Sequence, residues 1–347
     1  MKIIRFDKKD WAAGINALSE SYRVFGPAKE KELYNFIELG RGKLPELDFS
    51  NTHLSPKAIV FPQSEVMLEY TLDESKKNHH IMKEVDKDYS PRALIGIRPC
   101  DAKSLVLVKL NFDTPEHKDP YWLRAYEATT LVGLACDDPA GTCFCTSAGS
   151  GPYHEEGLDI LLVDSGSHYL AKVITEKGEN LLKVAGWETE VDVLSEIESR
   201  KSKAEAKITL TIAADKLKNK AILDLYEAPF WEDVAFACIN CGTCTYICPT
   251  CWCFDIQDEV YKSSGIRMRN WDSCMFPLFT LHTTGHNPRG AKTQRVRQRF
   301  MHKLKYFVDK YTSGIMCVGC GRCVRLCPVN IDIRSICDKM NNFEPAG

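Results

Sequence analysis

The chain has 347 residues, 44% of them hydrophobic, and a formal net charge of −2. The length suggests two domains with cores of their own, and the near-neutral charge excludes a general pull toward nucleic acid or an anionic membrane. The opening MKIIRFDKKDWAAG carries neither the apolar stretch of a secretory signal nor a twin arginine, and no apolar run is long enough to span a bilayer.

Residues 1 to about 190 read as α/β. WAAGINALSESY (11–22) has helical spacing, and RVFGPA (23–28) is extended. KAIVFPQSEVMLEYTL (57–72), ALIGIRPCD (93–101) and TTLVGLACDD (129–138) are apolar runs rich in strand formers. KSLVLVKLNF (103–112) reads as a helix that returns the chain to the sheet. LDILLVDSGSHYLAKVI (158–174) predicts a hairpin around Ser165-Gly166-Ser167. From 189 to 226, Glu, Lys, Ala and Leu predict a solvated helical connector with an aliphatic stripe, broken at Glu227-Ala228-Pro229. The expected division is an α/β domain with this connector over 1–225 and a cysteine-rich domain over 226–347, α+β overall.

Sixteen cysteines are the outlier. In a long chain without an export signal they are expected to stay reduced and to bind metal rather than pair as disulfides. A cytoplasmic protein with anaerobic chemistry is the expectation.

Two stretches align without a gap, CINCGTCTYICP (238–249) and CVGCGRCVRLCP (317–328). C-x2-C-x2-C-x3-C-P is the bacterial ferredoxin run, in which the fourth cysteine serves the other cluster. The first [4Fe–4S] cluster then takes Cys238, Cys241, Cys244 and Cys327, and the second takes Cys317, Cys320, Cys323 and Cys248. Zinc would favour two CxxC pairs at ribbon spacing rather than two full copies ending in Cys-Pro. Helices expected around 275–284 and 293–310 fill the insert between the copies. They predict an α-helical ferredoxin domain rather than a small ferredoxin joined by hairpins.

Eight cysteines lie outside the repeat. Cys337 in IRSICDKM reads as a small core residue. Cys100, Cys136, Cys143 and Cys145 gather at or just after predicted strand ends, where α/β sheets build their sites. They form a full ligand set for a third cluster, against the alternative of buried thiols. Cys251, Cys253 and Cys274 are one short of a set, with His282 and His286 near in sequence. For them, ligation at a further site and packing around the clusters both stay open.

Other candidates carry less. SAGSGP (147–152) lacks the strand–helix context of a dinucleotide loop, and no P-loop is present, so flavin and nucleotide are assigned to a partner. The basic run 288–307 reads as a solvated helix face or as charge compensation for anionic clusters. His79-His80 reads as a surface pair, and His154-Glu155-Glu156 as a loop. No catalytic set is found.

IRPCDAKSL, CFC, GLDILLVD, CPTCWCFDIQDEV, RNWDSCMF, TTGHNPRG and CVGCGRCVRLCPVNIDI together resemble one family. It is the iron–sulfur electron-transfer subunits that include the cluster-bearing subunit of anaerobic sulfite reductase and the β subunit of cytosolic sulfhydrogenases. The resemblance covers nearly the whole chain, and the seven extra cysteines from 100 to 274 match its pattern. It implies a relay of single electrons through [4Fe–4S] clusters. The relay would run between a flavin subunit using NAD(P)H or a related carrier and a catalytic subunit of hydrogenase, sulfite reductase or heterodisulfide-reductase type. The alternatives are an iron–sulfur enzyme reducing a sulfur substrate at an N-terminal or open-iron cluster, and a cluster-dependent interaction module.

Overall fold

The computed structural model describes residues 2–311 and 314–345. Twelve strands are formed among them: β1 (Lys2–Asp7), β2 (Arg23–Glu30), β3 (Leu33–Glu38), β4 (Ser64–Thr71), β5 (Lys83–Glu84), β6 (Arg92–Ile97), β7 (Thr129–Leu134), β8 (Ile160–Asp164), β9 (His168–Val173), β10 (Thr189–Glu190), β11 (Phe254–Tyr261) and β12 (Ser264–Trp271). The larger sheet runs β10-β1-β9-β8-β7-β6-β2-β3. Its centre, β2-β6-β7-β8, is parallel, and the flanking pairs are antiparallel.

Helices cover both faces of this sheet, which is why β6 and β7 read as unbroken apolar runs rather than alternating ones. Helices Trp11–Leu18 and Glu176–Val184 bury Ile15, Leu18, Leu181 and Leu182 on the side that shows Ala93, Ile95 and Val132. Helices Pro99–Phe112, Pro120–Glu127 and Leu194–Ala206 bury Leu105, Trp122 and Ile197 against Leu94, Leu131 and Leu161 on the other. The hairpin expected around Ser165–Ser167 is β8–β9, with Asp164 opposite Tyr169.

The second sheet, β11-β12-β4-β5, is built from both ends of the chain. β4 pairs antiparallel with β12, so the two expected domains share a sheet. Arg269 on β12 fixes that junction. It is 1% exposed and forms ion pairs with Glu65 on β4 (2.5 Å) and with Asp119, the N-cap of helix Pro120–Glu127. Nearby, Trp271 donates its indole N–H to the Phe61 carbonyl (3.0 Å).

Three local expectations are corrected. Residues 275–284 are turns rather than a helix. Pro277 lacks the N–H a helix interior needs, and Asn287 ties its carbonyl (2.6 Å) and the Thr280 hydroxyl (2.8 Å) into a loop. The insert also contains the hairpin β11–β12, reversed at Lys262 with φ 55°, alongside the expected helix, which runs Lys292–Met301 and on to Tyr311. The connector is α-helical only over Leu194–Ala206 and again at Ile222–Glu227, with a 3-10 segment at Ala214–Asn219. Between them ITLTI (208–212) is β-branched and resists helix. The connector is not fully solvated either, since Ile212, Leu217 and Leu225 bury in the C-terminal core. Cys337 is fully buried on helix Ile333–Asn342 in that same core. Among the described residues no helix is long and apolar enough to cross a membrane.

Arg269→Met should lower stability by about 3 kcal/mol, because it unpairs Asp119 and leaves Glu65 with Lys87 (2.5 Å) alone. Arg267→Met, which breaks a solvent-screened pair with Asp258 two residues away, should cost far less. Denaturation midpoints measured anaerobically check the ranking, and equal losses would contradict it.

Candidate metal centres

Each copy of the repeat folds the same way. The backbone turns left-handed at Asn240 (φ 55°) and Gly319 (φ 64°), and again at Gly242 (φ 74°) and Gly321 (φ 69°). A one-turn helix follows, Thr243–Tyr246 or Arg322–Arg325, and carries the third cysteine. The fourth lies just beyond it. One cavity is lined by Cys238, Cys241, Cys244 and Cys327, and a second by Cys248, Cys317, Cys320 and Cys323. Each cavity thus draws thiols from both copies: Cys327 and Cys323 reach the first, and Cys248 reaches the second.

Cys100, Cys136, Cys143 and Cys145 line a third cavity beyond the carboxyl ends of β6 and β7. Cys100 sits in the first turn of helix Pro99–Phe112, and Cys136 lies two residues past β7. The Cys143–Cys145 loop rests directly on the second copy of the repeat. Phe144 donates its N–H to the Gly319 carbonyl (2.9 Å), and Arg325 donates to the Thr142 hydroxyl (2.8 Å). A side chain at 319 would place its Cβ 2.5 Å from the Cys145 Cα. That contact explains why glycine stands where the first copy has Asn240, although both positions are left-handed. The Asn/Gly difference was a sequence signal for this packing that went unread. Arg322, between Cys320 and Cys323, closes the junction. Its guanidinium is fully buried and forks onto both carboxylate oxygens of Asp101 (2.6 and 2.9 Å), the residue after Cys100.

Cys251, Cys253 and Cys274 line a fourth cavity of about 290 Å³, bounded on its far side by Arg289, Gln298, Arg299, His302 and Lys303. The hairpin β11–β12 returns the chain so that Asp272 donates its N–H to the Cys253 carbonyl (3.0 Å). His282 and His286 do not reach this cavity: both are exposed, their rings 5.5 Å apart. His302 does, and sequence reading missed it because it lies inside a basic helix far from the three cysteines. Burial holds its pKa down at about 4. His79, His80 and the loop at His154 lie away from all four cavities.

Among the described residues no Asp or Glu lines any of these cavities. Buried cations do. Arg98 gives its donors to the carbonyls of Phe49, Ser50, Leu134 and Ala135. Lys57 donates to those of Thr245, Cys248 and Cys251, and lies 4.2 Å from the centre of the Trp271 ring. Lys303 donates to the Thr250 hydroxyl (2.8 Å), and Arg299 to the Cys244 carbonyl (3.0 Å). Among the described residues none of the four forms an ion pair. Two donors of Arg299, Nε and Nη1, are buried with no partner at all. The basic run 288–307 is therefore no solvated face where Arg299 and Lys303 stand.

Burial pushes the thiols up, Cys145 to about 12 and Cys244 to about 11. It lowers Lys57 to about 8. Burial opposes the charge on Lys303 too, but the neighbouring Cys248 and Cys251 side chains hold that lysine above its ordinary value. These residues fit [4Fe–4S] clusters. The first three cavities each hold at least the four thiols that a cubane needs and the fourth holds three, and the unpaired cations and orphaned N–H groups suit an anionic group rich in sulfide. Among the described residues no three donors converge as ligands of one metal ion, which is what a closed zinc site requires.

Comparison with known proteins agrees. Residues 237–331 match a family described as a 4Fe-4S dicluster domain. The whole chain is similar to sulfhydrogenase 2 subunit beta of Pyrococcus furiosus, with 31% identity over 353 aligned residues that cover 98% of each chain. No solved structure matches. With four thiol-lined cavities and likeness along nearly its full length, the chain belongs to the family of the sulfhydrogenase β subunits.

Proposed function

We propose that this chain is the electron-relay subunit of a multisubunit oxidoreductase, with Cys238, Cys241, Cys244 and Cys327 as one [4Fe–4S] ligand set and Cys317, Cys320, Cys323 and Cys248 as the second. Cys100, Cys136, Cys143 and Cys145 are proposed as a third set, and Cys251, Cys253 and Cys274 as part of a further one. One observation carries the reading: the cavities share walls. Arg299 and Cys323 line both the first and the second, and Cys320 lines both the second and the third. Bound clusters would supply one-electron storage and transfer at each position.

The chain's own residues hold, insulate and balance these sites. Phe144, Val318 and Ile333 exclude water from the second cavity. Arg98, Arg299 and Lys303 offset negative charge, which favours the reduced state. Cys241 is exposed, so the first cavity opens to a docking partner. The division near residue 225 is one of cluster content, since the shared sheet crosses it. A flavin subunit using NAD(P)H or a related carrier is the proposed partner on one side. A catalytic subunit of hydrogenase, sulfite reductase or heterodisulfide-reductase type is the proposed partner on the other. The Pyrococcus furiosus relative, itself one component of a sulfhydrogenase, supports such an assembly. A sulfur-reducing enzyme with an open iron is the second reading, favoured only by the three-cysteine cavity.

Cys248→Ala should damage the cluster of Cys317, Cys320 and Cys323 and spare the other copy's, as followed by electron paramagnetic resonance. Loss confined to the cluster of Cys238, Cys241 and Cys244 would reverse the crossed assignment. An anaerobic preparation should hold more than about eight irons per chain, and a Cys143→Ala, Cys145→Ala variant should lose roughly four of them with the ferredoxin signals intact. Eight irons in the wild type and none lost in the variant would confine the relay to the repeat. Arg299→Gln should lower the potentials of the two repeat clusters by roughly 50–100 mV, the effect of one buried charge at close range. A redox titration that shows no shift would remove Arg299 from the charge balance.

A further inference from the structure

Three thiols leave a cubane one ligand short. We infer that His302 supplies the missing ligand to a further iron–sulfur cluster held by Cys251, Cys253 and Cys274, an assignment that rests on reading those cysteines as ligands. His302 lines the same cavity as all three. The thiols come from the loop leaving the first copy of the repeat and from the segment just after β12, whereas His302 comes from the basic helix that also lines the cavity.

Local structure at His302 is distinctive. It is the first residue of a π-helical segment, His302–Tyr306, set into the run from Lys292 to Tyr311. Such one-residue expansions of a helix recur at functional sites because they re-aim side chains that a regular helix would turn away. The imidazole is half-buried and makes no hydrogen bond among the described residues, although its neighbours Arg299 and Lys303 are both anchored. Trp252, between two of the cysteines, meets the ring edge-on at 5.9 Å between centroids and fixes its plane.

The other lining residues do not compete well. No carboxylate is present among the described lining residues; Arg289, Arg299 and Lys303 have no lone pair to give; the Thr250 hydroxyl is engaged by the Met316 carbonyl and Lys303; the Gln298 amide oxygen is a poorer ligand for cluster iron than an imidazole; and Met316 is packed into the core that joins the two halves. Imidazole is a known replacement for cysteine on cluster iron. A histidine-completed set has no open iron, so this assignment also counts against the sulfur-reducing reading.

The test uses the full chain, prepared anaerobically, with three measurements: iron per chain, labile sulfide, and pulsed paramagnetic resonance of the reduced protein grown with ¹⁴N- or ¹⁵N-histidine. A strongly coupled nitrogen that changes with the histidine label is expected in the wild type. In His302→Gln it should vanish with about four irons, and His302→Cys should restore the irons without the nitrogen signal. If Cys274→Ala loses iron but no histidine coupling is found, or the coupling survives His302→Gln, the cysteines hold a cluster and His302 does not ligate it. If Cys251→Ala, Cys253→Ala and Cys274→Ala leave iron unchanged, the further cluster itself is absent and the assignment falls with it.

Discussion

Among the described residues, four cations beside the thiols, Lys57, Arg98, Arg299 and Lys303, are buried without a carboxylate partner. Taking one such charge out of water costs several kcal/mol unless an opposite charge compensates. All four stand beside thiols, and Arg98, Arg299 and Lys303 line the thiol cavities directly. The arrangement is unfavourable for an apo protein and favourable for one that holds anionic clusters. Cluster loading and folding are therefore expected to be coupled, as metal binding and folding are wherever the site is absent from the unfolded chain.

The matched ion pairs have a different task. Asp101–Arg322 and Arg269 with Glu65 and Asp119 each join a segment from the first two hundred residues to one from the last hundred. Together with the β4–β12 pairing and the contact of Gly319 on the Cys145 backbone, they hold the N-terminal cysteines against the repeat. The shared walls of neighbouring cavities follow from these welds. A chain with two independent domains would leave that spacing to a linker.

Much of this was legible in the sequence because it rests on local patterns. The gathering of thiols from both copies into shared cavities is what the spacing led one to expect, and β6 and β7 follow from apolar runs that end three and two residues before Cys100 and Cys136. The hairpin β11–β12 was missed because β11 is exposed along nearly its whole length, and Asp258 interrupts the alternation of Phe254, Ile256 and Val260. Its partner β4 is remote in sequence, and such pairing leaves no local trace. The turns at 275–284 were misread as helix because MFPLFTL is apolar, and the one residue that forbids a helix there, Pro277, was outweighed. His302 hid in a run of lysines and arginines. What identifies it is a change of helical pitch and a shared cavity, neither of which a linear pattern shows.

If adjacent thiol cavities on both halves of the chain hold iron, anomalous diffraction at the iron absorption edge, on crystals grown anaerobically, will locate it. Iron density is expected in the cavity of Cys238, Cys241, Cys244 and Cys327, in that of Cys248, Cys317, Cys320 and Cys323, and in that of Cys100, Cys136, Cys143 and Cys145. Iron in the first two with none in the third would contradict a relay that spans both halves, because Arg98 and the Cys143–Cys145 loop would then surround four ordinary thiols.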